Sequence, residues 1–369
     1  MSSPIEILGA SELDPVFIQT IRQNCTISDA RDNGIYSLCS LLLKLRGLYK
    51  WEHGLKPWDE PETPVVLDWI EGKENYWETL TGVEYLPLLI KGESCEPFAA
   101  EAINHHLRGT GLVYGAGYGR SLKAIFFLAE LREERRESDC RILILDREVA
   151  RELASPFALR QEELIVIRRE PMRFFFWDQI QEIRATGRAA LRHGLTLSGV
   201  KFDATVDRQS LLEKLDVIVD QEIPAFIHHE IGELRESALA AEHLQQLIAA
   251  FPASAIELTA RAVKDALADT HPEGMLGYIL GARSESSLAF YAGLLDGMRQ
   301  LLQPEIIPAF EDFLQKRDWQ GMDRARVHCR ENNLRRAEIL RAAAESLLTQ
   351  PPAAVKGRIE REILAPLGL

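Results

Sequence analysis

His228-His229-Glu230-Ile231-Gly232-Glu233 is the segment of this chain whose residue types and spacing most resemble chemistry. On a helix, side chains four residues apart lie one turn apart on the same face, so His229 and Glu233 would point the same way. Pro224 is read as the start of that helix. An imidazole and a carboxylate so placed can share one divalent ion. The zinc-protease pattern His-Glu-x-x-His uses its two histidines as ligands and its inner glutamate as general base. In this sequence Glu233 replaces the second histidine, giving His-Glu-x-x-Glu. The change moves the preference toward harder ions, iron or manganese, with zinc as the third candidate, and removes the main reason to expect a protease. Glu230 keeps the place of a catalytic base. Further ligands are expected from Asp269 and His271, brought beside His229 by a helix hairpin whose second arm spans residues 254–268. The competing reading is structural: a solvated helix face, or a buried His–Glu pair that fixes helix packing.

A second constellation is glycine-rich. Gly115, Gly117 and Gly119 follow the apolar Leu112-Val113-Tyr114. A strand, a glycine turn and a helix N-terminus together cradle phosphate, and Asp146, at the end of Ile142-Leu143-Ile144-Leu145, would stand where a ribose-binding carboxylate belongs. A nucleotide or S-adenosylmethionine is the cofactor this reading implies. The third glycine comes one residue early for the dinucleotide fingerprint, and no run of alternating strands and helices follows. A glycine-rich strand in a small antiparallel sheet accounts for the same residues.

The remaining signals are weaker. His105-His106 has no partner at ligand spacing and reads as a helix end. Arg147, Arg151, Arg160, Arg168 and Arg169 are interleaved with Glu148, Glu152, Glu162 and Glu163, so pairing among them is expected rather than an anion site. There is no Ser-His-Asp order, Walker loop or nucleophile elbow.

These residues need elements to position them. At 369 residues the chain is too long for one simple core, and 46% apolar with 27% charged residues is an ordinary globular composition. The net charge of −13 repels phosphate backbones and anionic lipid surfaces, so neither nucleic acid nor membrane is an expected partner. No leader or spanning segment is read at the start of the chain, and five scattered cysteines without a CxxC pair point to reduced thiols; the expected location is the cytoplasm.

The apolar pattern divides the chain in three. Residues 1–95 read as a helical unit, with helices at 14–23, from a Ser28 cap through Leu48, and at 65–80. Four tryptophans, Trp51, Trp58, Trp69 and Trp77, fall here and are expected to fill a core between helices. Residues 96–170 carry short apolar runs of strand length and read as a small β-sheet unit, with 130–137 as a hairpin tip or a helix tail. Residues 171–369 return to helical spacing, with helices expected at 174–189, 208–215, 224–237, 240–250, 254–268, 286–302, 304–316, 323–348 and 355–364. The fold class is therefore α+β and predominantly α-helical.

Four stretches, the run 36–52, Tyr114-Gly115-Ala116-Gly117-Tyr118-Gly119, Phe126-Phe127-Leu128-Ala129-Glu130-Leu131 and His229-Glu230-Ile231-Gly232-Glu233, resemble an uncharacterised bacterial family. That family is a pair of domains of unknown function found in proteobacteria and sulfate reducers. The resemblance spans most of the chain and implies no activity. Three functional readings follow from the residues: a metal-binding protein or metalloenzyme, a non-enzymatic helical protein that binds a partner or a second copy of itself, and a nucleotide or S-adenosylmethionine binder.

Overall fold

The computed structural model describes residues 13–119, 122–137, 139–161, 163–181, 188–201, 207–295 and 297–369. The chain is mainly α-helical, with one small and one five-stranded sheet, and it divides into two compact units. The first comprises residues 1–136, 141–159 and 166–177; the second comprises 137–140, 160–165 and 178–369.

The first unit begins with α1 (Pro15–Asp32), α2 (Leu38–Glu52) and α3 (Thr63–Thr79). Asp14 starts α1 by accepting a hydrogen bond from the Val16 amide at 2.9 Å, with Pro15 in the first turn, where its missing N–H is not needed. Ser28 was expected to cap the second helix. It lies inside α1 instead, and its Oγ donates to the Ala124 carbonyl at 2.5 Å. The cap of α2 is Ser37, which accepts from the Ser40 amide. The region is not wholly helical: β1 (Leu88–Ile90) and β2 (Glu93–Cys95) form an antiparallel hairpin. Of the four tryptophans, Trp77 is fully in the core with Leu45, Leu48 and Ile70, while Trp51 and Trp69 pack at its edge.

After α4 (Ala100–His106), the strands β3 (Leu112–Tyr118), β4 (Ala124–Glu137), β5 (Cys140–Arg151), β6 (Ala158–Gln161) and β7 (Leu164–Arg168) form a sheet in the order β3-β4-β5-β7-β6. The charged run 130–137 belongs to the long strand β4. One sheet face takes up α1: Phe17, Ile21 and Cys25 pack with Tyr114, Phe126 and Leu128.

α5 (Arg169–Gln181) carries the division between the units. The second unit continues with α6 (Arg188–Leu197) and α7 (Arg208–Arg235). Pro224 was expected to open a helix. It sits inside α7, a single 28-residue helix that joins two segments read as separate. A proline here removes one backbone hydrogen bond. Ala225, Ile227 and Ile231 are buried on the far side of it, and that burial favours continuing the helix over breaking it. There follow α8 (Ala241–Ala250), α9 (Ala255–Thr270), α10 (Met275–Ala282), α11 (Glu285–Gly293), α12 (Gly297–Leu302), α13 (Ile306–Lys316), α14 (Trp319–Ser346) and α15 (Pro352–Ile359). The short α10 escaped the periodicity, and the single helix expected over 286–302 is two. Among the described residues of the unit, one apolar cluster joins α8, α9, α14 and α15, and another joins α10, α11, α13 and the start of α14.

Candidate metal centre on helices α7 and α9

α7 and α9 cross closely, and both carry carboxylates at the crossing. Ser254 fixes the start of α9 by accepting from the Glu257 amide, while Glu257 Oε2 accepts from the Ala253 amide, so two end groups are satisfied reciprocally. From there α9 is lined by Ala260, Val263, Ala266 and Leu267, all buried, which seats the helix firmly. Asp269 lies in the same buried stretch, wholly without solvent exposure. The close approach on the α7 side requires Gly232. A Cβ there would fall 2.2 Å from the Ala268 carbonyl oxygen and 2.9 Å from Gly274 Cα.

His229, Glu230 and Glu233 come together on α7. One donor atom from each lies within 4.8 Å of the others. Glu230 is 5% exposed, and among the described residues its carboxylate receives no hydrogen bond. The His229 ring shares a 2.7 Å hydrogen bond between Nδ1 and Asp269 Oδ1. The other Asp269 oxygen accepts from Arg299 Nη2 at 2.7 Å and from the Tyr291 hydroxyl at 3.0 Å, and Tyr291 also reaches Gln303 Oε1 at 2.6 Å. Glu233 is held by Lys264 Nζ, with Arg160 Nη2 at 3.7 Å.

Burial and charge act in opposition through this cluster. Burial resists charge on His229, but the Asp269 carboxylate outweighs it and raises the imidazole pKa to about 10. Burial also opposes the charge on Asp269, yet Arg299 and then His229 hold that carboxyl well below the usual range. For Glu230 burial dominates: it lifts the pKa to about 7, with His229 pulling it down and Glu233 pushing it up. Burial raises Asp265 too, against the pull of His229. Glu233 goes the other way, because Lys264 overcomes its desolvation.

The structure thus brings together part of the set read from sequence. His229, Glu230 and Glu233 form one cluster. Asp269 meets His229, but both its oxygens are taken by protein donors. His271 faces away into the following turn, where its Nδ1 accepts from the Glu273 amide, and it is not part of the cluster. His228 stacks on Tyr278 and bonds the Glu273 carbonyl. Arg160, Lys264, Tyr291, Arg299 and Gln303 were not anticipated. The available signal was Asp265 and Asp269, one turn apart on the same helix that carries Lys264.

The glycine-rich segment is a strand. β3 pairs antiparallel with β4, Gly115 opposite Phe127 and Gly117 opposite Ile125, and the Gly119 amide donates to the Lys123 carbonyl. Among the described residues the next regular element is the strand β4, whereas a phosphate cradle uses a helix N-terminus. Gly115 is there for space: a Cβ would fall 2.0 Å from the Phe127 ring. Asp146 is ion-paired with Arg169 at 3.3 Å and Arg132 at 3.8 Å. Among the arginines, Arg168 bonds Glu148 and Glu152, as the interleaving implied, while Arg147 pairs with Glu130.

Residues 16–168 match the N-terminal domain, and residues 173–363 the C-terminal domain, of a family of unknown function, DUF6866. The chain belongs to the DUF6866 family. The junction between the two DUF6866 domains falls at the start of α5, and the His229 cluster lies wholly in the C-terminal one. No curated protein and no solved structure matches the chain. Among the described residues no helix is long and apolar enough to cross a membrane.

Proposed function

We propose that the C-terminal domain binds a single divalent metal ion through His229, Glu230 and Glu233, and that iron or manganese suits this donor set better than zinc. The observation that carries the reading is the convergence of one nitrogen and two carboxylate donors within 4.8 Å, one of them the buried, unbonded carboxylate of Glu230. Burial disfavours the charged form of Glu230, and a cation beside it would offset that cost. Asp269 then acts in the way typical of carboxylates behind metal-bound histidines: it accepts from Nδ1, fixes the tautomer and leaves Nε2 for the ion. Arg299 and Tyr291 hold Asp269 in place for that task. Three protein donors leave open positions for water or substrate, which is the layout of a catalytic rather than a structural site. Glu230 becomes a ligand in this reading rather than a base.

The charge balance favours the assignment. In the metal-free protein His229 keeps its proton at neutral pH, and burial makes Glu230 hold its proton to higher pH than an ordinary glutamate does. A divalent ion that displaces these protons replaces charge with nearly equal charge, so Lys264 and Arg160 need not move far from Glu233. The test is metal content of untagged protein, with His229→Ala beside it.

A second reading is favoured by Lys264 and Arg160 themselves. Two cations on Glu233 fit a metal-free network in which Glu230 and His229 exchange a proton. Loading with iron(II), manganese(II) or zinc separates the two, since a proton-transfer site takes up none stoichiometrically.

A further inference from the structure

Gln303 follows the last turn of α12 and is wholly without solvent exposure, and Tyr291 of α11 is buried beside it. The Tyr291 hydroxyl stands between two acceptors, Asp269 Oδ2 at 3.0 Å and Gln303 Oε1 at 2.6 Å. A hydroxyl carries one hydrogen, so it donates to only one of them. On the other side of the same amide, Gln303 Nε2 is buried and has no hydrogen-bond partner. Two acceptors thus compete for one proton while a donor next to them goes unused, in a place where buried polar groups are almost always paired.

Asp269 decides where the proton goes. Its Oδ2 also accepts from Arg299 Nη2 at 2.7 Å, and its Oδ1 meets His229 Nδ1 at 2.7 Å. A guanidinium keeps its charge in a protein, so the acid beside it is a carboxylate, and a carboxylate only accepts. Hydrogen bonds to a charged acceptor are roughly twice as strong as neutral ones, so the Tyr291 proton belongs to Asp269. The Tyr291 oxygen is then an acceptor toward Gln303 and needs a donor there. The nitrogen and oxygen of a glutamine amide have nearly the same shape, and a half-turn exchanges them. That half-turn gives the buried nitrogen a partner and ends the competition for the hydroxyl proton in one step.

We propose that Gln303 presents Nε2 to Tyr291, so that a directed relay runs from the Gln303 amide through the Tyr291 hydroxyl to Asp269, and that Tyr291 and Gln303 are positioning residues of the metal site, a role that rests on the metal reading above. With the relay in place, Asp269 accepts from His229 on one oxygen and from Arg299 and Tyr291 on the other, so its carboxylate cannot turn without breaking bonds to three side chains. A carboxylate fixed in this way keeps the proton on His229 Nδ1 and leaves Nε2 as the nitrogen for an ion. Gln303 touches neither His229 nor Asp269 through any hydrogen bond among the described residues; it acts through Tyr291.

The full-length protein tests this in two ways. In the presence of a chelator, with ¹⁵N confined to glutamine side chains, the Gln303 amide protons are expected to show a strong nuclear Overhauser cross-peak to the Tyr291 hydroxyl proton. A hydroxyl proton without that cross-peak would overturn the direction of the relay. Calorimetric titration with manganese(II) reads its role. Tyr291→Phe, which keeps the ring, is expected to weaken binding about tenfold, the low end for a group behind a metal-bound histidine, and Gln303→Met to weaken it less. The double variant is expected to bind no more weakly than Tyr291→Phe alone, because Gln303 acts only through the hydroxyl. Tyr291→Phe carries the test should Gln303→Met fail to fold. Wild-type protein that binds no manganese would overturn the metal reading and this role with it. Wild-type binding with full affinity in Tyr291→Phe, or losses that add in the double variant, would overturn the relay alone.

Discussion

Gly232 of α7 packs directly onto the Ala268 carbonyl of α9, and a single methyl group at position 232 would lie 2.2 Å from that oxygen. This contact is what allows His229, one turn before Gly232, to reach Asp269, the residue after Ala268. Site geometry and helix packing are the same fact at this crossing.

Gly232→Ala therefore has two expected effects. The helices must separate, which lowers stability by about 1–3 kcal/mol, the usual size of an overpacking defect. The separation also stretches the His229–Asp269 bond, so the imidazole pKa moves down from about 10. Chemical denaturation reads the first effect and an NMR titration of the His229 ring the second. A variant as stable as wild type, with an unmoved titration, would show that the helices are not held this tightly.

Asp269→Asn tests the charge that holds His229. With the carboxylate gone, burial remains as the dominant influence and lowers the imidazole pKa. The expected outcome is titration of His229 at or below its ordinary value of 6.5, against about 10 in wild type. Arg299 is then left opposite a neutral amide, so stability falls too, by roughly 3–5 kcal/mol for a broken buried ion pair.

The metal-free protein should lose stability as pH rises. Glu230 has a folded pKa of about 7 against an ordinary 4.5, so the folded state binds the extra proton between these values and its contribution is lost as pH climbs through 7. His229 acts in the same direction: its contribution is complete below 6.5 and disappears as pH passes about 10. Asp269, whose pKa is depressed, has the opposite sign, and its contribution fades as pH falls below 3.8. Urea midpoints in the presence of a chelator, from pH 5 to 8, should fall in wild type and fall less in Glu230→Gln. Parallel profiles would contradict the burial assigned to Glu230.

In the first unit, the buried pair Asp29–Lys123, 2.9 Å apart, ties α1 to the start of β4, and both Asp29 oxygens also accept from the Leu153 amide at 3.0 Å. Lys123→Met leaves that carboxylate buried without its cation and should cost about 3–5 kcal/mol. The double variant Lys123→Met/Asp29→Asn should recover part of the loss, since no unpaired charge remains. Thermal unfolding of the two variants is the check.

The sequence carried the predominantly helical α+β class, because long stretches with a 3.6-residue period and a few apolar runs bounded by glycine or charge are strong local signals. Local signals failed where tertiary packing decided. Ser28 has the residue type of a cap but is used as a buried donor to Ala124, and Pro224 has the type of a helix start but lies within α7. Of the candidate site, the i,i+4 pair His229 and Glu233 was readable because both lie on one helix. Arg299, Tyr291 and Lys264 come from other helices, and no spacing on α7 encodes them. Gly115-x-Gly117-x-Gly119 was ambiguous for a physical reason: glycine admits both a phosphate loop and a crowded strand, and only the Phe127 ring opposite Gly115 decides.

The most direct measurement is metal content by inductively coupled plasma mass spectrometry on untagged full-length protein, as purified and after loading with iron(II), manganese(II) or zinc, beside His229→Ala and Glu230→Gln. The account predicts close to one ion per chain in the wild type, lost in His229→Ala and weakened in Glu230→Gln, with about one to two protons released per ion bound at pH 7. Wild-type protein that takes up none of the three metals, or a His229→Ala variant that holds as much as wild type, would contradict it.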